Sequence, residues 1–458
     1  MMHLSQVAKA LDAQLIGPDV EFFSVNTNSR KIVAGDLFIA LRGEKFDGAE
    51  YVVASLQSGA VAAVVNQNSY SGNLAPQSSL LVVEDTRIAL GKLATFWRKQ
   101  FAIPLVAITG SNGKTTVKEM LASILRTTTG GDDAVLATQG NFNNDIGMPL
   151  TLLQLRAQHR YAVIEMGMNH FGEIDYLTRL AQPQVALVNN ASGAHLQGLG
   201  TVEGVARAKG EIFAGLASDG IAVINADDAY AGLWSELAGA HRVLDFSLQQ
   251  KTAVAGTWKA AGYGGVLQAY TPVGELNIEL QVPGEHNARN ALAAATVAIA
   301  LQIPLTVIEQ GLANFSGVAG RLQRKKSVQG ATVIDDTYNA NPASMLAALH
   351  VLAAAQGKRI FVLGDMGELG DDAAQFHRDI GVAARKSGIE KLFALGEMST
   401  GAVREFGAGA RHFSSVEALC AALENELDAH TTVLVKGSRF MKMERVVNYC
   451  VGVEKESH

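Results

Sequence analysis

Cysteine is scarce in this chain of 458 residues, in which only Cys420 and Cys450 occur. Their spacing forms neither a disulfide framework nor a set of metal ligands, so we expect two small buried thiols in a reduced, cytoplasmic protein. No apolar run reaches the roughly 18 residues that cross a membrane, so we predict no membrane span. The N-terminus has no basic segment followed by an apolar core, so we expect no secretory signal.

The chain also has no surplus of positive charge. Its 38 Lys and Arg residues face 44 Asp and Glu residues, which gives a formal net charge of −6 at pH 7. General nucleic-acid binders are basic, so we expect no nucleic-acid partner. At roughly 150 residues per domain, the length predicts about three domains.

A glycine-rich segment lies between an apolar run and a helical pattern, in which Val117, Met120 and Ile124 fall on one face. A strand followed by a glycine loop and then a helix is typical of a phosphate-binding site, because the loop N–H groups and the helix dipole attract anions. Lys114 can reach the outer phosphates of a nucleotide, and the Thr115 hydroxyl can bind Mg²⁺. The predicted ATP-binding segment consists of Thr109, Gly110, Ser111, Asn112, Gly113, Lys114, Thr115 and Thr116.

One position departs from the general phosphate-binding loop. That pattern has a glycine five residues before its Gly-Lys pair, where this chain has Ile108. A chance glycine turn is therefore an alternative. The two glycines, the Lys-Thr pair and the flanking elements favour the phosphate site.

Apolar runs and helical patterns divide the chain into three α/β units. Residues 1–103 predict a small mixed domain, which ends before Pro104 because the residue before a proline resists helix. Residues 104–318 alternate strands with helices and then show hairpin strands, which predicts a parallel sheet with an antiparallel edge. Residues 319–458 alternate in the same way and predict a Rossmann-like domain.

Polar residues follow several strands of the central unit, at the sheet edge where ligands bind in open α/β folds. Glu165 ends one apolar run, and His195 comes shortly after Asn189 and Asn190 at the end of another. Glu165 is the best candidate for a Mg²⁺ carboxylate, since Mg²⁺ takes one or two of them. The alternatives are a Glu that caps a helix and a hydrogen-bonded loop histidine.

Three further positions have two interpretations each. Ser29 and Arg30 in a turn could bind a phosphate or could be a solvated turn. Arg321, beside the predicted domain junction, could neutralise a transferring phosphoryl group or could be an exposed linker residue. Lys209, by its spacing alone, is an ordinary lysine on a helix surface.

Eight motifs follow one another along nearly the whole chain, and as an ordered set they are highly specific. The chain resembles the ATP-dependent Mur ligases of peptidoglycan synthesis, and its shortened glycine loop matches that family. The motifs occupy residues 109–116, 140–149, 165–168, 208–212, 284–291, 320–321, 335–342 and 364–370.

This resemblance implies an enzyme with a UDP-sugar-binding, an ATP-binding and a dipeptide-binding domain, in chain order. It implies that ATP and Mg²⁺ are used to join D-alanyl-D-alanine to a UDP-N-acetylmuramoyl-tripeptide through an acyl phosphate. We expect a cytoplasmic monomer whose partners are these small molecules. Within the superfamily, the motifs at 141–149 and 335–342 favour this reaction over another Mur-type or folylpolyglutamate-type ligation. A non-catalytic nucleotide-binding module is the alternative from another class.

The resemblance also implies residue roles. Lys114, Lys209 and His195 would be catalytic, and Thr115, Glu165, His195 and Lys209 would hold Mg²⁺, with Lys209 carbamylated. A carbamate requires a neutral amine and hence a lysine of lowered pKa. Asn290, Arg321 and Asp336 would hold the nucleotide. The implied substrate-binding residues are Ser29, Arg30, Phe46, Asp47 and Gly48 for UDP, Asn143 and Asn144 for the muramoyl-peptide, and Asn339, Asn341, Lys436, Ser438 and Arg439 for the dipeptide.

Overall fold

The computed structural model describes residues 1–43, 46–69, 78–193 and 196–453. Its N-terminal part contains a five-stranded sheet in the order β2-β7-β6-β5-β4 and a small antiparallel pair, β1 with β3. The strands are β1 (Met2–His3), β2 (Gln14–Ile16), β3 (Glu21–Phe22), β4 (Ser24–Asn26), β5 (Asp36–Ile39), β6 (Ala62–Asn66) and β7 (Ser79–Val83). The helices are α1 (Leu4–Leu11), α2 (Val52–Gln57) and α3 (Thr86–Arg98).

The central part is built on a nine-stranded sheet in the order β16-β15-β14-β13-β12-β11-β8-β10-β9. Its strands are β8 (Leu105–Thr109), β9 (Val135–Ala137), β10 (Tyr161–Glu165), β11 (Val185–Val188), β12 (Ile221–Asn225), β13 (Arg242–Ser247), β14 (Val254–Ala261), β15 (Gly264–Thr271) and β16 (Gly274–Leu280). Strands β8 to β14 pair in parallel, whereas β14, β15 and β16 form antiparallel hairpins at one edge. Both predicted features of this sheet are confirmed.

Helices cover both faces of the central sheet. They are α4 (Lys114–Thr129), α5 (Gly147–Leu152), α6 (Glu173–Ala181), α7 (Leu196–Leu199), α8 (Val202–Gly210), α9 (Ala231–Ala238), α10 (Glu285–Ala300) and α11 (Leu305–Ala313). One core cluster joins α4, α10 and α11 to the sheet. The other lies on the opposite face and continues into the N-terminal sheet and α3. The first two parts of the chain therefore share one continuous apolar core.

The C-terminal part holds a six-stranded sheet in the order β17-β18-β22-β19-β20-β21. Its strands are β17 (Gln323–Lys326), β18 (Thr332–Asp336), β19 (Lys358–Gly364), β20 (Lys391–Leu395), β21 (Ala410–Phe413) and β22 (Thr431–Lys436). Its helices are α12 (Pro342–Ala353), α13 (Ala373–Lys386), α14 (Thr400–Phe406), α15 (Val416–Glu424) and α16 (Glu444–Val451). All pairings are parallel except that of the edge strand β17 with β18, which the sequence did not predict.

The N-terminal part is also fixed to the central part by polar contacts. The indole nitrogen of Trp97 donates to the carbonyl of Leu155 at 3.0 Å, and the guanidinium of Arg87 holds both carboxylate oxygens of Asp145. Asp145 follows Asn143 and Asn144, so α3 is joined directly to the loop that was predicted to face the muramoyl-peptide. No helix in the described part of the chain is both long and apolar enough to cross a bilayer.

Candidate active site

The glycine loop connects the end of β8 to the start of α4, as predicted. Gly113 precedes the helix with φ +79°, a conformation that favours glycine. A Cβ atom at this position would collide with the amide of Asn290 and would lie 2.7 Å from Nδ2 of Asn189. A glycine is therefore required both by the backbone turn and by the two asparagines packed against it.

Asparagine side chains from the neighbouring strand end fix the shape of the loop. The backbone N–H of Asn112 donates to Oδ1 of Asn190 at 2.8 Å, and Nδ2 of Asn189 donates to the Asn112 carbonyl and to Oδ1 of Asn290, both at 3.0 Å. Ser111 donates its N–H to the Asn190 carbonyl at 2.9 Å. The sequence predicts Asn189 and Asn190 at this edge but gives them no role. Their position directly after an apolar run is the signal that could have identified them as residues of the site.

Lys114, Thr115 and Glu165 meet at the start of α4. Nζ of Lys114 donates to the Gly110 carbonyl at 2.6 Å, and the Thr115 hydroxyl donates to Oε2 of Glu165 at 2.9 Å. Nδ2 of Asn143 donates to the other carboxylate oxygen at 2.9 Å. Burial lowers the pKa of Lys114, and the Glu165 carboxylate partly opposes that shift. The helix-cap alternative for Glu165 is wrong, because both of its oxygens point into this cluster.

The cluster suits a hard divalent cation. Glu165 is 3% exposed, and its carboxylate adjoins the hydroxyl of Thr115, so two oxygen ligands already lie together. Mg²⁺ commonly takes only one or two protein carboxylates and completes its shell with water and phosphate. Within the described residues no three His, Cys, Asp or Glu side chains converge, so a metal cage made only of protein ligands is not formed there. His195 lies outside the described residues.

Lys209 is buried, which contradicts its interpretation as a helix-surface lysine. Lys209 lies on α8 and is 1% exposed. Burial holds the pKa of Lys209 well below its usual value, and the positive charge of Lys114 lowers it further. The chain thus places a second lysine near the first, in a setting that favours the neutral amine.

Two residues of the C-terminal part reach the glycine loop. Nη2 of Arg321 donates to the Thr115 hydroxyl at 3.1 Å, and Nδ2 of Asn341 donates to Oδ1 of Asn112 at 2.8 Å. The guanidinium carbon of Arg321 lies 4.2 Å from the ring centre of Tyr338. The exposed-linker alternative for Arg321 is therefore wrong. Asn341, which was assigned to the dipeptide, makes its contact here with the glycine loop.

The other predicted residues of the C-terminal part lie together at the carboxyl ends of its strands. Nζ of Lys436 forms a 2.6 Å ion pair with Asp336 and donates to the Asn339 carbonyl at 3.0 Å. The Ser438 hydroxyl donates to the Ala340 carbonyl at 3.2 Å. Arg439 differs from this group, because its largely exposed guanidinium pairs with Glu444 at 3.3 Å.

The predicted UDP-binding residues lie in two short turns of the N-terminal part. Ser29 and Arg30 occupy a 3₁₀ turn, Phe46 is 58% exposed, and Gly48 begins a second turn that Asp47 caps. Among the described residues, none of these five makes a hydrogen bond to the glycine loop. Asn144, in the predicted peptide loop, has a local role, since its Oδ1 accepts the Gly147 N–H of α5 at 2.8 Å.

The fold and site define a three-part α/β protein in which the C-terminal part contacts the glycine loop of the central part. Three family models match: the Mur ligase family catalytic domain over residues 21–98, the Mur ligase middle domain over 108–298 and the Mur ligase glutamate ligase domain over 320–439. The chain belongs to the Mur ligase family, as its motifs predicted.

Full-length relatives agree with that assignment. The chain is 43% identical to the UDP-N-acetylmuramoyl-tripeptide–D-alanyl-D-alanine ligase of Haemophilus influenzae, over 96% of each chain. It superposes on MurF from Acinetobacter baumannii with a TM-score of 0.91 and 36% identity, over 98% of each chain. MurF from Thermotoga maritima, solved in complex with ADP, matches with a TM-score of 0.82 and 25% identity, over 94% of this chain and 97% of that one.

Proposed function

We propose that this protein is a cytoplasmic, monomeric, ATP-dependent ligase that joins D-alanyl-D-alanine to UDP-N-acetylmuramoyl-tripeptide, with release of ADP and phosphate. The observation that supports this most directly is the convergence on Thr115. Glu165 of the central sheet accepts a hydrogen bond from its hydroxyl, and Arg321 of the C-terminal part donates to the same oxygen. A site completed by two domains suits a reaction that brings two substrates and a nucleotide together.

The chemistry follows from the weakness of a carboxylate as an acyl donor. The terminal carboxylate of the tripeptide attacks the γ-phosphate of ATP, which forms an acyl phosphate and expels ADP. The amine of D-alanyl-D-alanine then attacks that carbonyl, phosphate leaves, and the amine loses a proton as the amide forms. Lys114, which bonds to Gly110, and Arg321, which bonds to Thr115, would supply positive charge to the transferring phosphoryl group. Docking of the C-terminal part excludes water, which competes with the amine.

We assign Thr115 and Glu165 to one Mg²⁺, with His195 as a further ligand. We assign Lys209 to a carbamate, formed when its neutral amine adds to CO₂ and releases a proton. The carbamate would give this buried position the oxygen ligands for a second Mg²⁺. Bound Mg²⁺ would neutralise phosphate oxygens and polarise the phosphoryl group.

The substrates are assigned to the three parts in chain order. Residues 1–103 would take the UDP-sugar through Ser29, Arg30 and the turn at 46–48, and residues 104–318 would take ATP. Asn143 supports a place for the muramoyl-peptide, because it bonds to Glu165 beside the phosphate loop. Residues 319–458 would take the dipeptide near Asn339, Lys436 and Ser438.

ADP release in the presence of ATP and Mg²⁺ tests this proposal. We expect release to require both the UDP-tripeptide and D-alanyl-D-alanine, and the new amide to appear by mass spectrometry in equal amount. ADP release without either substrate would indicate a free-running ATPase, and a different preferred amine would indicate another ligase of this superfamily. A panel of UDP-muramoyl peptides with varied third residues would define the donor.

A further inference from the structure

His377 lies on α13 of the C-terminal part, and its ring connects this helix to the turn after β19. The residue is completely buried. Its Nδ1 lies 2.7 Å from the carbonyl oxygen of Ala373, one turn earlier in its own helix, and its Nε2 accepts the backbone N–H of Met366 at 2.9 Å. A carbonyl can only accept and an N–H can only donate. The partners therefore make Nδ1 the donor and Nε2 the acceptor of the ring.

The nearby carboxylate does not take part in that bond. Oδ1 of Asp365 lies 3.9 Å from Nε2 of His377, and its two oxygens accept the backbone N–H groups of Ser399 at 2.8 Å and Met398 at 3.1 Å. Asp365 thus binds the loop after β20, whereas His377 binds the turn after β19. Each side chain holds a different backbone segment at the same edge of the sheet.

The turn that His377 holds forms part of the edge assigned to the dipeptide. The N–H of Gly367 donates to the Ser438 hydroxyl at 2.9 Å, and the N–H of Ser438 donates to the Asp365 carbonyl at 2.9 Å. Glu368, the residue after Gly367, has φ +62°. A residue other than glycine with a positive φ costs free energy, and this conformation persists only where the surrounding structure fixes it.

We propose that His377 is a positioning residue for the amine substrate. It holds the Met366 amide, and this fixes Gly367 and Ser438 at the edge where the dipeptide is placed. The inference rests on the proposed function for the identity of that substrate. His377 itself does not touch the substrate, so its loss should weaken dipeptide binding while ATP and the UDP-peptide keep their affinities.

Two amide substitutions separate the two ring contacts. In His377→Gln, the side-chain oxygen can reach the Met366 N–H. In His377→Asn, the shorter amide can reach only the Ala373 side and leaves the Met366 N–H buried without an acceptor. We expect His377→Asn to raise the KM for D-alanyl-D-alanine about tenfold. We expect KM values for ATP and UDP-tripeptide within about twofold of wild type, and a His377→Gln enzyme close to wild type in all three.

Hydrogen exchange gives a readout that does not depend on turnover. The amides of Met366 and Gly367 should exchange faster in His377→Asn than in His377→Gln, while those of β19 should stay protected in both. If His377→Asn does not fold, Ser438→Ala tests the turn by exchange alone, because Ser438 is itself placed beside the dipeptide. The Gly367 amide should then exchange faster, whereas the Met366 amide, still held by His377, should stay protected. Loss of protection at Met366 as well would contradict the role of His377. Equal increases in all three KM values, or an unchanged dipeptide KM with unchanged exchange, would overturn the proposal.

Failure of the proposed function would look different. A wild-type enzyme that releases no ADP in response to the dipeptide would contradict the ligase assignment itself. The comparison of exchange in the Gln and Asn variants would then still decide whether His377 holds the turn.

Discussion

Nδ2 of Asn341 donates a 2.8 Å hydrogen bond to Oδ1 of Asn112, across 229 positions of sequence. Asn341 is also the N-cap of α12, where its Oδ1 accepts the Ser344 N–H at 2.9 Å. One side chain therefore starts a helix of the C-terminal part and connects that part to the glycine loop. The two roles use different atoms, so substitutions can separate them.

We expect Asn341→Ser to keep the cap and lose the contact with Asn112, since serine caps helices as well as asparagine does. Its melting temperature should stay near wild type, while ATP binding weakens severalfold and X-ray scattering shows a more open shape. Ser344→Ala is the matched control. It removes one half of the capping box and should cost about 1 kcal/mol of stability without changing ATP affinity. Equal ATP affinities in Asn341→Ser and Ser344→Ala would show that the interdomain bond contributes nothing.

The ring of Tyr338 packs against the guanidinium of Arg321, which contacts Thr115 at the glycine loop. Nε of Arg321 is buried and has no hydrogen-bond partner among the described residues, so the cation–π contact at 4.2 Å is a main restraint on the guanidinium. Tyr338→Phe retains an aromatic face and should bind ATP nearly as well as wild type. Tyr338→Leu should lose roughly 0.5–2 kcal/mol of binding, measured by calorimetry. Similar losses in the two variants would implicate the hydroxyl instead of the ring.

We predict that the positive charge of Lys114 stabilises the transferring phosphoryl group. Lys114→Ala should reduce amide formation by about 10²–10³-fold, the usual effect of removing one stabilising group from a transition state. The control is Lys251→Ala, which removes an exposed lysine of the same part of the chain and should leave turnover unchanged. Near-normal turnover in Lys114→Ala would contradict the proposed role of Lys114 at the phosphate.

The elements that carry this site were predictable because their signals are local. The strand before Gly110, the helix after Gly113 and the apolar runs ending at Glu165 and Asn189 depend on residues close in sequence. The burial of Lys209 was not predictable, since helical periodicity does not show which faces become covered. Only the folded structure shows how closely α8 packs there, since a Cβ added at Gly210 would collide with Leu237 of α9.

Contacts between residues far apart in the sequence could not be predicted either, because they also depend on which surfaces pack together. Arg321 reaches Thr115 and Asn341 reaches Asn112 only because the C-terminal sheet docks on the central one. His377 gave no signal at all, since a histidine at a helical spacing looks like any other polar side chain of that helix. Such a role arises because a backbone N–H group needs a hydrogen-bond acceptor in the folded chain, and the sequence does not show which N–H group that will be.

Lys209 is predicted to act as a carbamate. Lys209→Ala should lose most activity and regain part of it with formate or acetate, which can supply the missing oxygens. Lys114→Ala should gain nothing from the same acids, because that position requires positive charge. In ¹³C NMR with labelled bicarbonate, a carbamate signal should be present in wild type and absent from Lys209→Ala. Full activity of the unrescued variant would reject the carbamate.

His286, half-buried at the start of α10, should make stability depend on pH. Burial lowers its pKa from 6.5 to about 4, against the attraction of Asp336, while Lys436, Arg289 and His350 lower it further. Below the ordinary pKa of histidine, the unfolded chain takes up a proton that the native protein does not bind. The free energy of unfolding therefore falls as pH decreases through this window, and the stabilisation is complete only above it.

The expected loss is on the order of 2 kcal/mol, once the partial exposure of the ring is allowed for. Urea unfolding at pH about 7 and about 4.5 measures it. In His286→Gln the same experiment should show a smaller decrease, because the glutamine amide does not titrate. Carboxylates titrate in both proteins, so the difference between them isolates the histidine. Parallel pH dependences for wild type and His286→Gln would mean that the ring is already protonated, or equally hydrated, in the folded protein.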